Sequence, residues 1–228
     1  MHRLIRLLSK ELVFGEIPNK FLIGAATTIS AGSEIRYLLM HIIETPHLFL
    51  RPPSHSDELL LHGLWSDPFV VNAKDSVSPT LEQSKAALFQ FIIHWQHNRF
   101  GLWMLFVKNE GQAKKFVGYC GLARSGLYLP QDPNNVEIIT CLNLASSGKG
   151  IAVEAGRAAV QFAFEHLELE KVTSFVRPAN TRSLRKNIKI GFFYVGYRIY
   201  DSTLMRYLEV YPETAVKADS LLVFDDAY

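Results

Sequence analysis

The most constraining feature of the sequence is a strand, a loop and a helix in direct succession between residues 136 and 167. Residues 136–144 begin with β-branched side chains and predict a strand. The next residues, 146–150 (SSGKG), are small, and residues 151–167 carry alanines and Phe162 at helical spacing. Because such a helix has to bury its apolar face against the sheet that supplies the strand, the sequence predicts an α/β fold.

The loop of this junction is also the strongest indication of a ligand. Glycines at 148 and 150 let the backbone adopt positive φ and approach a ligand closely. The helix behind them begins with unpaired N–H groups and a positive dipole end, a combination that suits phosphate. A tight strand-to-helix turn without a ligand is the alternative. The spacing excludes the GxxxxGK[ST] and GxGxxG nucleotide-binding motifs.

The remaining elements are predicted from hydrophobic periodicity and from turn and capping residues. Thr80 and Gln83 form a capping box that predicts a helix start, and Gly191 predicts a helix end. The order is β-α-α-β-β-β-α-β-α-β-β, which predicts a mixed sheet flanked by helices. Outside the junction, strands are predicted over residues 47–51, 102–107, 116–122, 171–176, 192–200 and 203–210, and helices over 57–67, 80–95 and 181–190.

Composition narrows the class of protein. The chain has 228 residues, 48% of them hydrophobic, which is enough for one domain with a substantial core. A net charge of +2 gives no reason to expect DNA as a partner. Cys120 and Cys141 form neither a disulfide framework nor a zinc site, so we expect reduced thiols, a cytoplasmic location and no metal. No apolar run approaches the roughly 20 residues that cross a bilayer.

The chain divides into an N-terminal extension of uncertain order (residues 1–43), a domain (44–212) and a C-terminal tail (213–228). The extension begins with leucines on one helical side and Arg3, Arg6 and Lys10 on the other. Four interpretations of the extension stay open: an interfacial membrane helix, a helix packed on the domain, a weakly ordered tail, or a translation start at Met40 that makes the preceding residues non-native. We expect no membrane contact from it.

Several blocks together resemble one family. Residues 147–152 (SGKGIA) resemble the Q/R-x-x-G-x-G/A signature of the GNAT superfamily of N-acetyltransferases, with Ser147 in place of Gln or Arg. Residues 148–164 resemble the GKGYATEA helix of its RimJ/RimL-like branch, which acetylates ribosomal-protein N-termini. Residues 44–52, residues 116–122 and the N-x-x-S block at 180–183 followed by Gly191-Phe192 resemble further parts of that branch, in the same order.

The resemblance implies a mixed, mostly antiparallel sheet that is splayed at its central strands. It implies acetyl-CoA as co-substrate and direct attack by an amine, either a protein N-terminus or a small molecule, in a ternary complex. It places the cofactor's pantetheine arm and thioester carbonyl against the backbone of Leu142, Asn143 and Leu144. The other implied cofactor-binding residues are Ser147, Gly148, Lys149, Gly150, Ile151 and Ala152 at the pyrophosphate, with Asn180 and Ser183 at the arm and the sulfur.

The catalytic residues are expected on the strand and on the second helix of this region. Glu137 is the predicted general base, although it could instead pair with a charge on a neighbouring strand, and Asp201 is a weaker alternative. The family's frequent tyrosine acid is replaced by Asn187, so Ser183 is predicted to donate to the sulfur, with helix capping as its alternative role.

Two further questions stay open at this stage. Arg182, Arg185, Lys186 and Lys189 repeat at helical spacing, as a solvated face or as one that attracts phosphates or an RNA-containing acceptor. Because Ser147, Lys186 and Asn187 depart from the family pattern, a non-catalytic acyl-CoA-binding sensor is the alternative function. A homodimer is compatible with the sequence.

Overall fold

The computed structural model describes residues 39–74, 77–108, 113–124, 135–200 and 202–227. These residues form a nine-stranded sheet in the order β7-β8-β6-β5-β4-β3-β2-β1-β9. All neighbouring strands are antiparallel except β5 and β6, which are parallel. The strands are β1 (Leu39–Glu44), β2 (Leu48–Arg51), β3 (Leu102–Val107), β4 (Lys115–Arg124), β5 (Val136–Leu142), β6 (Val172–Val176), β7 (Phe193–Tyr200), β8 (Thr203–Val210) and β9 (Leu222–Ala227).

Five α-helices in the described residues flank the sheet: α1 (Glu58–Trp65), α2 (Pro68–Lys74), α3 (Leu81–Asn98), α4 (Ile151–Glu165) and α5 (Thr181–Ile190). The predicted capping box at the start of α3 is confirmed. The Thr80 hydroxyl accepts the Gln83 N–H at 3.2 Å, and the Gln83 side chain accepts the Thr80 N–H at 2.9 Å. Gly191, with φ of 111°, ends α5 in the predicted role.

Apolar side chains cover both faces of the sheet. On one face the ring of Trp103 meets Phe162 of α4 edge-on at 5.2 Å, inside a buried cluster that α4 completes. On the other face Phe91 of α3 packs against Trp65 and Tyr119, and the Trp65 indole donates to the Tyr119 hydroxyl at 3.3 Å. The sheet is therefore buried between α4 with α5 on one side and α1 with α3 on the other.

The parallel strands β5 and β6 pair at one register position, Glu137 opposite Thr173. Thr173 closes this end, because its hydroxyl donates to the Val136 carbonyl at 3.1 Å and accepts from the Asn135 amide at 2.9 Å. Past this point no ladder joins the described residues of the two strands, so a gap opens beside the end of β5. The predicted mixed, mostly antiparallel sheet with splayed central strands is confirmed.

The structure differs from the sequence analysis at three places. The strand predicted over 136–144 ends at Leu142, because the Asn143 side chain accepts the Ser146 N–H at 3.0 Å and turns the chain. Helix α2 was not predicted; it begins at Pro68, whose missing N–H costs nothing at a first helical position. Strands β1 and β9 pair antiparallel at the sheet edge, partly from residues assigned to the extension and the tail. Residues 1–38 lie outside the described residues.

We expect Thr173→Val to destabilise the protein by about 1–3 kcal/mol, because the change leaves the Val136 carbonyl and the Asn135 amide without their buried partner. The measurement is urea unfolding, with a lower midpoint at an unchanged m-value. A midpoint equal to that of the unaltered protein would show that the closed end of the gap does not depend on this side chain.

Candidate active site

The predicted ligand loop has the conformation that an anion site needs. Gly148 and Gly150 have φ of 80° and 82°, and a Cβ on either residue would meet nothing within 4 Å. Glycine is thus required there by conformation rather than by space. Gly150 is the N-cap of α4 and carries no side-chain cap. The first N–H groups of α4 therefore face outward beside an exposed loop, as the phosphate hypothesis expects.

The direction of α4 is set by a carboxylate in its first turn. Glu154 accepts the Thr45 hydroxyl at 2.6 Å and the main-chain N–H of His47 at 2.9 Å, both from the turn between β1 and β2. The His47 ring also contacts the same carboxylate at 3.1 Å. An acidic group at this end complements the helix dipole, so the contact both orients the helix and favours its N-terminal turn.

A cation reaches the loop from a different element. The Arg182 guanidinium of α5 donates to the Ser147 hydroxyl at 3.1 Å and lies 5.0 Å from the ring centre of Phe69 in α2. Ser147 stands where the family signature has Gln or Arg, so the Arg182 guanidinium of α5 places a positive charge at this position of the loop, in addition to Lys149. From the sequence, Arg182 is predicted only as one cation of a basic helical face. The one sequence signal for this contact is that Ser147 departs from the Gln or Arg of the family signature, which leaves room for a side chain from another element.

The main-chain N–H and C=O groups at the end of β5 are directed alternately toward the neighbouring strand β4 and toward the gap. The Asn143 N–H donates to the Val117 carbonyl of β4 at 3.0 Å. Because alternate residues of a strand direct their main-chain groups to opposite sides, those of Leu142 and Thr140 are directed toward the gap. The Leu144 N–H instead donates to the Asp67 carboxylate at 3.3 Å. Of the three predicted backbone contacts, the geometry leaves Leu142 directed at the gap.

Glu137 lies at the closed end of the gap and is buried. The Tyr200 hydroxyl donates to its carboxylate at 2.9 Å, so its partner in the described part of the chain is a phenol rather than a neighbouring charge. Burial raises the pKa of Glu137 to about 7, against the opposing effect of the Tyr200 hydrogen bond. A carboxylate with this pKa exchanges protons readily at neutral pH. The alternative base, Asp201, lies outside the described residues.

The second helix of the site, α5, begins with a cap and then crosses the gap. The Asn180 side chain accepts the Ser183 N–H at 3.0 Å, which is the capping role left open for Asn180; Ser183 contributes its main-chain N–H to this bond. One turn later the Lys186 amine donates to the Thr140 hydroxyl of β5 at 3.2 Å. The Asn187 amide donates to the Ser174 hydroxyl of β6 at 2.7 Å, and its own Oδ1 has no hydrogen-bond partner in the described part of the chain.

The described residues carry neither a cluster of metal-ligand side chains nor a membrane-spanning helix. They contain no group of three or more His, Cys, Asp or Glu side chains placed to hold a metal ion. None of the described helices combines the length and the apolar character needed to cross a membrane.

Comparison with known proteins identifies the family. Residues 47–192 match the family model described as the acetyltransferase (GNAT) domain. The chain is 28% identical over 186 residues to the uncharacterized N-acetyltransferase p20 of Bacillus licheniformis, covering 79% of this chain and 98% of that protein. This chain therefore belongs to the GNAT acetyltransferase family, and membership indicates acyltransferase activity.

Solved structures share the fold. A GNAT-family acetyltransferase of Bacillus anthracis superposes with a TM-score of 0.61 at 21% identity, covering 75% of this chain and 99% of that chain. The aminoglycoside acetyltransferase AAC(6')-Ib, solved with coenzyme A and kanamycin, superposes with a TM-score of 0.58 at 20% identity, covering 73% of this chain and 96% of that chain. These matches do not distinguish the RimJ/RimL-like branch from the rest of the GNAT family.

We expect Gly150→Ala to weaken coenzyme A binding about tenfold. A Cβ at φ of 82° costs about 1–2 kcal/mol of backbone strain, which disfavours the loop conformation proposed to bind the pyrophosphate. Gly63→Ala is the matched control, since Gly63 lies in helix α1 and its Cβ would also meet open space. Calorimetric titration with coenzyme A measures both. Equal affinities of the two variants would contradict a phosphate-binding role for the loop.

Proposed function

We propose that this protein transfers an acetyl group from acetyl-CoA to a primary amine, by direct attack in a ternary complex. The observation that carries the proposal is the loop at Gly148 and Gly150, which opens α4 directly beside the gap between β5 and β6. A diphosphate at the loop and an extended thiol arm in the gap match the two halves of coenzyme A. Main-chain donors held in place by the fold also favour the charge that develops on the thioester oxygen.

The donor is held mainly by backbone. The N–H groups of residues 148–152 bind the pyrophosphate, and the exposed side chain of Lys149 adds a charge at the same place. Ser147 contributes through the Arg182 guanidinium that rests on it. The main chain of Leu142 binds the arm in the gap. Asn143 and Leu144 also bind the arm once the Leu144 N–H exchanges the Asp67 carboxylate for the cofactor.

Glu137 is the proposed general base. The acceptor amine has to lose a proton to attack, and a buried carboxylate with a pKa of about 7 takes one up at neutral pH. Glu137 lies three residues from Thr140, about 10 Å along the strand, so the proton passes through water rather than directly. The Tyr200 hydroxyl orients the carboxylate.

The leaving group is the second half of the chemistry. We assign Ser183 a hydrogen bond to the sulfur, directly or through water, and Asn180 a contact with an amide of the arm. Support comes from their place at the start of α5, next to the loop that Arg182 touches. A serine hydroxyl polarises a departing thiolate but carries no surplus proton.

The acceptor is proposed by class. The kanamycin bound by AAC(6')-Ib favours a small-molecule amine, and the RimJ/RimL-like blocks favour a protein N-terminus. The acceptor side of the sheet is the face with Glu137, where Phe175 packs 4.4 Å from Tyr200. Cys120 and Cys141 are thiols that form no disulfide in the described part of the chain, which favours a reducing compartment such as the cytoplasm.

One observation favours a second function. Asn187 replaces the tyrosine that many family members use as acid, and it is bound to Ser174 inside the fold. A non-catalytic acyl-CoA sensor would bind the cofactor with these residues and release no thiol. The test is to follow thiol release from acetyl-CoA with a panel of peptides and small amines, alongside calorimetry with coenzyme A. Binding without release across the panel favours the sensor, and absence of binding contradicts both functions.

We expect the acetylation rate to rise as the pH passes through about 7, because Glu137 accepts a proton only after losing its own. Glu137→Gln removes this titration and lowers kcat by about 10²-fold at pH 8. The measurement is the pH profile of kcat for both proteins. An unchanged acidic limb in the variant would assign the base to another residue.

We expect Arg182→Ala to weaken coenzyme A binding up to about fivefold at low salt, the range of an exposed charge contact. Arg185→Ala on the same helix is the control, since it is exposed and equal in charge. Calorimetry at two salt concentrations measures the difference, which should shrink as salt screens the charge. Equal losses in the two variants would reduce Arg182 to a general contribution of the basic helical face.

A further inference from the structure

Two neighbouring side chains of α5 span the gap between the central strands. Lys186 reaches Thr140 on β5, and Asn187 reaches Ser174 on β6. Thr140 lies three residues beyond the paired position Glu137, so the Lys186 amine lies where the two strands have already separated. The main chain of Thr140 and Leu142 is directed into the same gap. Helix α5 thus places an amine and an amide above the proposed path of the cofactor's arm.

Lys186 is a cation that lacks an anion. No carboxylate of the described residues lies within ion-pair distance of its amine. The titratable group facing it from the sheet is Cys120, whose sulfur lies 3.2 Å from the Thr140 hydroxyl. Burial raises the pKa of that thiol, although Lys186 opposes the shift, so Cys120 is uncharged at neutral pH. The charged groups on its own helix are all basic: Arg182, Arg185 and Lys189. Helix α4 carries Arg157 and two carboxylates, Glu154, which contacts Thr45 and His47, and Glu165, which contacts Gln161.

Such an amine is a stronger acid than an exposed lysine. Burial lowers the pKa of Lys186, and the coupling to Cys120 only partly opposes this. A buried charge without a partner is costly, and the cost falls when an opposite charge forms beside it. Acyl transfer from a thioester forms one, the departing thiolate.

Asn187 gives a second, independent observation. The side chain is fully buried, its amide nitrogen is used by Ser174, and its oxygen has no partner among the described residues. A buried acceptor without a donor costs about 1–3 kcal/mol, so it marks a place where a donor is expected to arrive. The orphan oxygen lies next in sequence to the unpaired amine, at the same crossing of the gap.

We propose that Lys186 is the proton donor to the sulfur of coenzyme A, with the Asn187 oxygen accepting a hydrogen bond from the thiol so formed. The inference rests on the proposed acetyl transfer and names a catalytic residue that the family pattern does not supply. The acceptor nitrogen bonds to the thioester carbon, and the carbon–sulfur bond breaks with its electron pair on sulfur. The Lys186 ammonium gives its proton to that sulfur. The proton lost by the amine goes through water to Glu137, and both groups then re-equilibrate with solvent.

The test compares Lys186→Met with Lys189→Met, an equal change at an exposed lysine of the same helix. The first readout needs no turnover: the pKa of the thiol in bound coenzyme A is measured by ultraviolet absorbance during a pH titration. A neighbouring ammonium lowers that pKa, so we expect it to be higher in Lys186→Met and unchanged in Lys189→Met. Calorimetry should show coenzyme A affinity within about threefold of the unaltered protein in both variants.

The second readout is the pH profile of kcat. Because Lys186 acts in its protonated form, the rate falls as the pH rises through its pKa, which gives a basic limb below the ordinary lysine range. We expect Lys186→Met to lower kcat by about 10²-fold and to remove this limb. Lys186→Arg keeps the charge but holds its proton, so it should restore the thiol pKa and leave kcat low.

The outcomes separate this inference from the proposed function. An unchanged thiol pKa in folded Lys186→Met, or a basic limb that persists in it, overturns the role of Lys186 while acetyl transfer stands. Loss of activity in Ser183→Ala equal to that of Lys186→Met, with the limb unmoved, assigns the proton to Ser183 instead. Failure of the unaltered protein to bind coenzyme A overturns the function itself.

Discussion

The single pairing of Glu137 with Thr173 is the constraint on which the site depends. A parallel pair of ordinary length would use the main-chain groups of Thr140 and Leu142 in its own ladder. Here Thr173 closes one end with two side-chain hydrogen bonds, and the remaining main chain of β5 is left for a ligand. The same register places a titrating carboxylate at the closed end and the two polar side chains of α5 across the open end.

The two helices at the gap contribute differently to the site: α4 contributes directed main-chain N–H groups, and α5 contributes charged side chains. Helix α4 offers its N-terminal N–H groups through Gly150, and Glu154 ties that turn to the chain before β2. Helix α5 brings cations, with Arg182 at the loop and Lys186 deeper in the gap. This arrangement suits a ligand whose anionic phosphates bind at the loop and whose thiolate forms deeper in the gap. Both helices rest on the same sheet, so the distance between their positive charges does not depend on a loop.

Local signals in the sequence predicted most of the fold, and long-range contacts account for what they missed. The capping box at Thr80 and Gln83 and the glycine at 191 act within one helical turn, so they can be read directly. Strands β1 and β9 stabilise each other from opposite ends of the chain, and neither has a turn signal that reveals its partner. The contacts of Arg182 with Ser147 and of Lys186 with Thr140 join residues 35 and 46 positions apart. Spacing predicts which residues share a helix face, but not what that face meets.

Strand β7 leaves an uncovered margin of the sheet in the described part of the chain. Large apolar side chains there are about half exposed, including Tyr194, Tyr197 and Ile199 at 49%, 50% and 65%. Free edges of this kind invite pairing between molecules, and natural proteins blunt them with charge. Arg198 is the charge available on this strand, and its guanidinium lies 3.6 Å from the ring centre of Tyr207. We therefore expect self-association of the purified protein at high concentration to proceed through this edge strand.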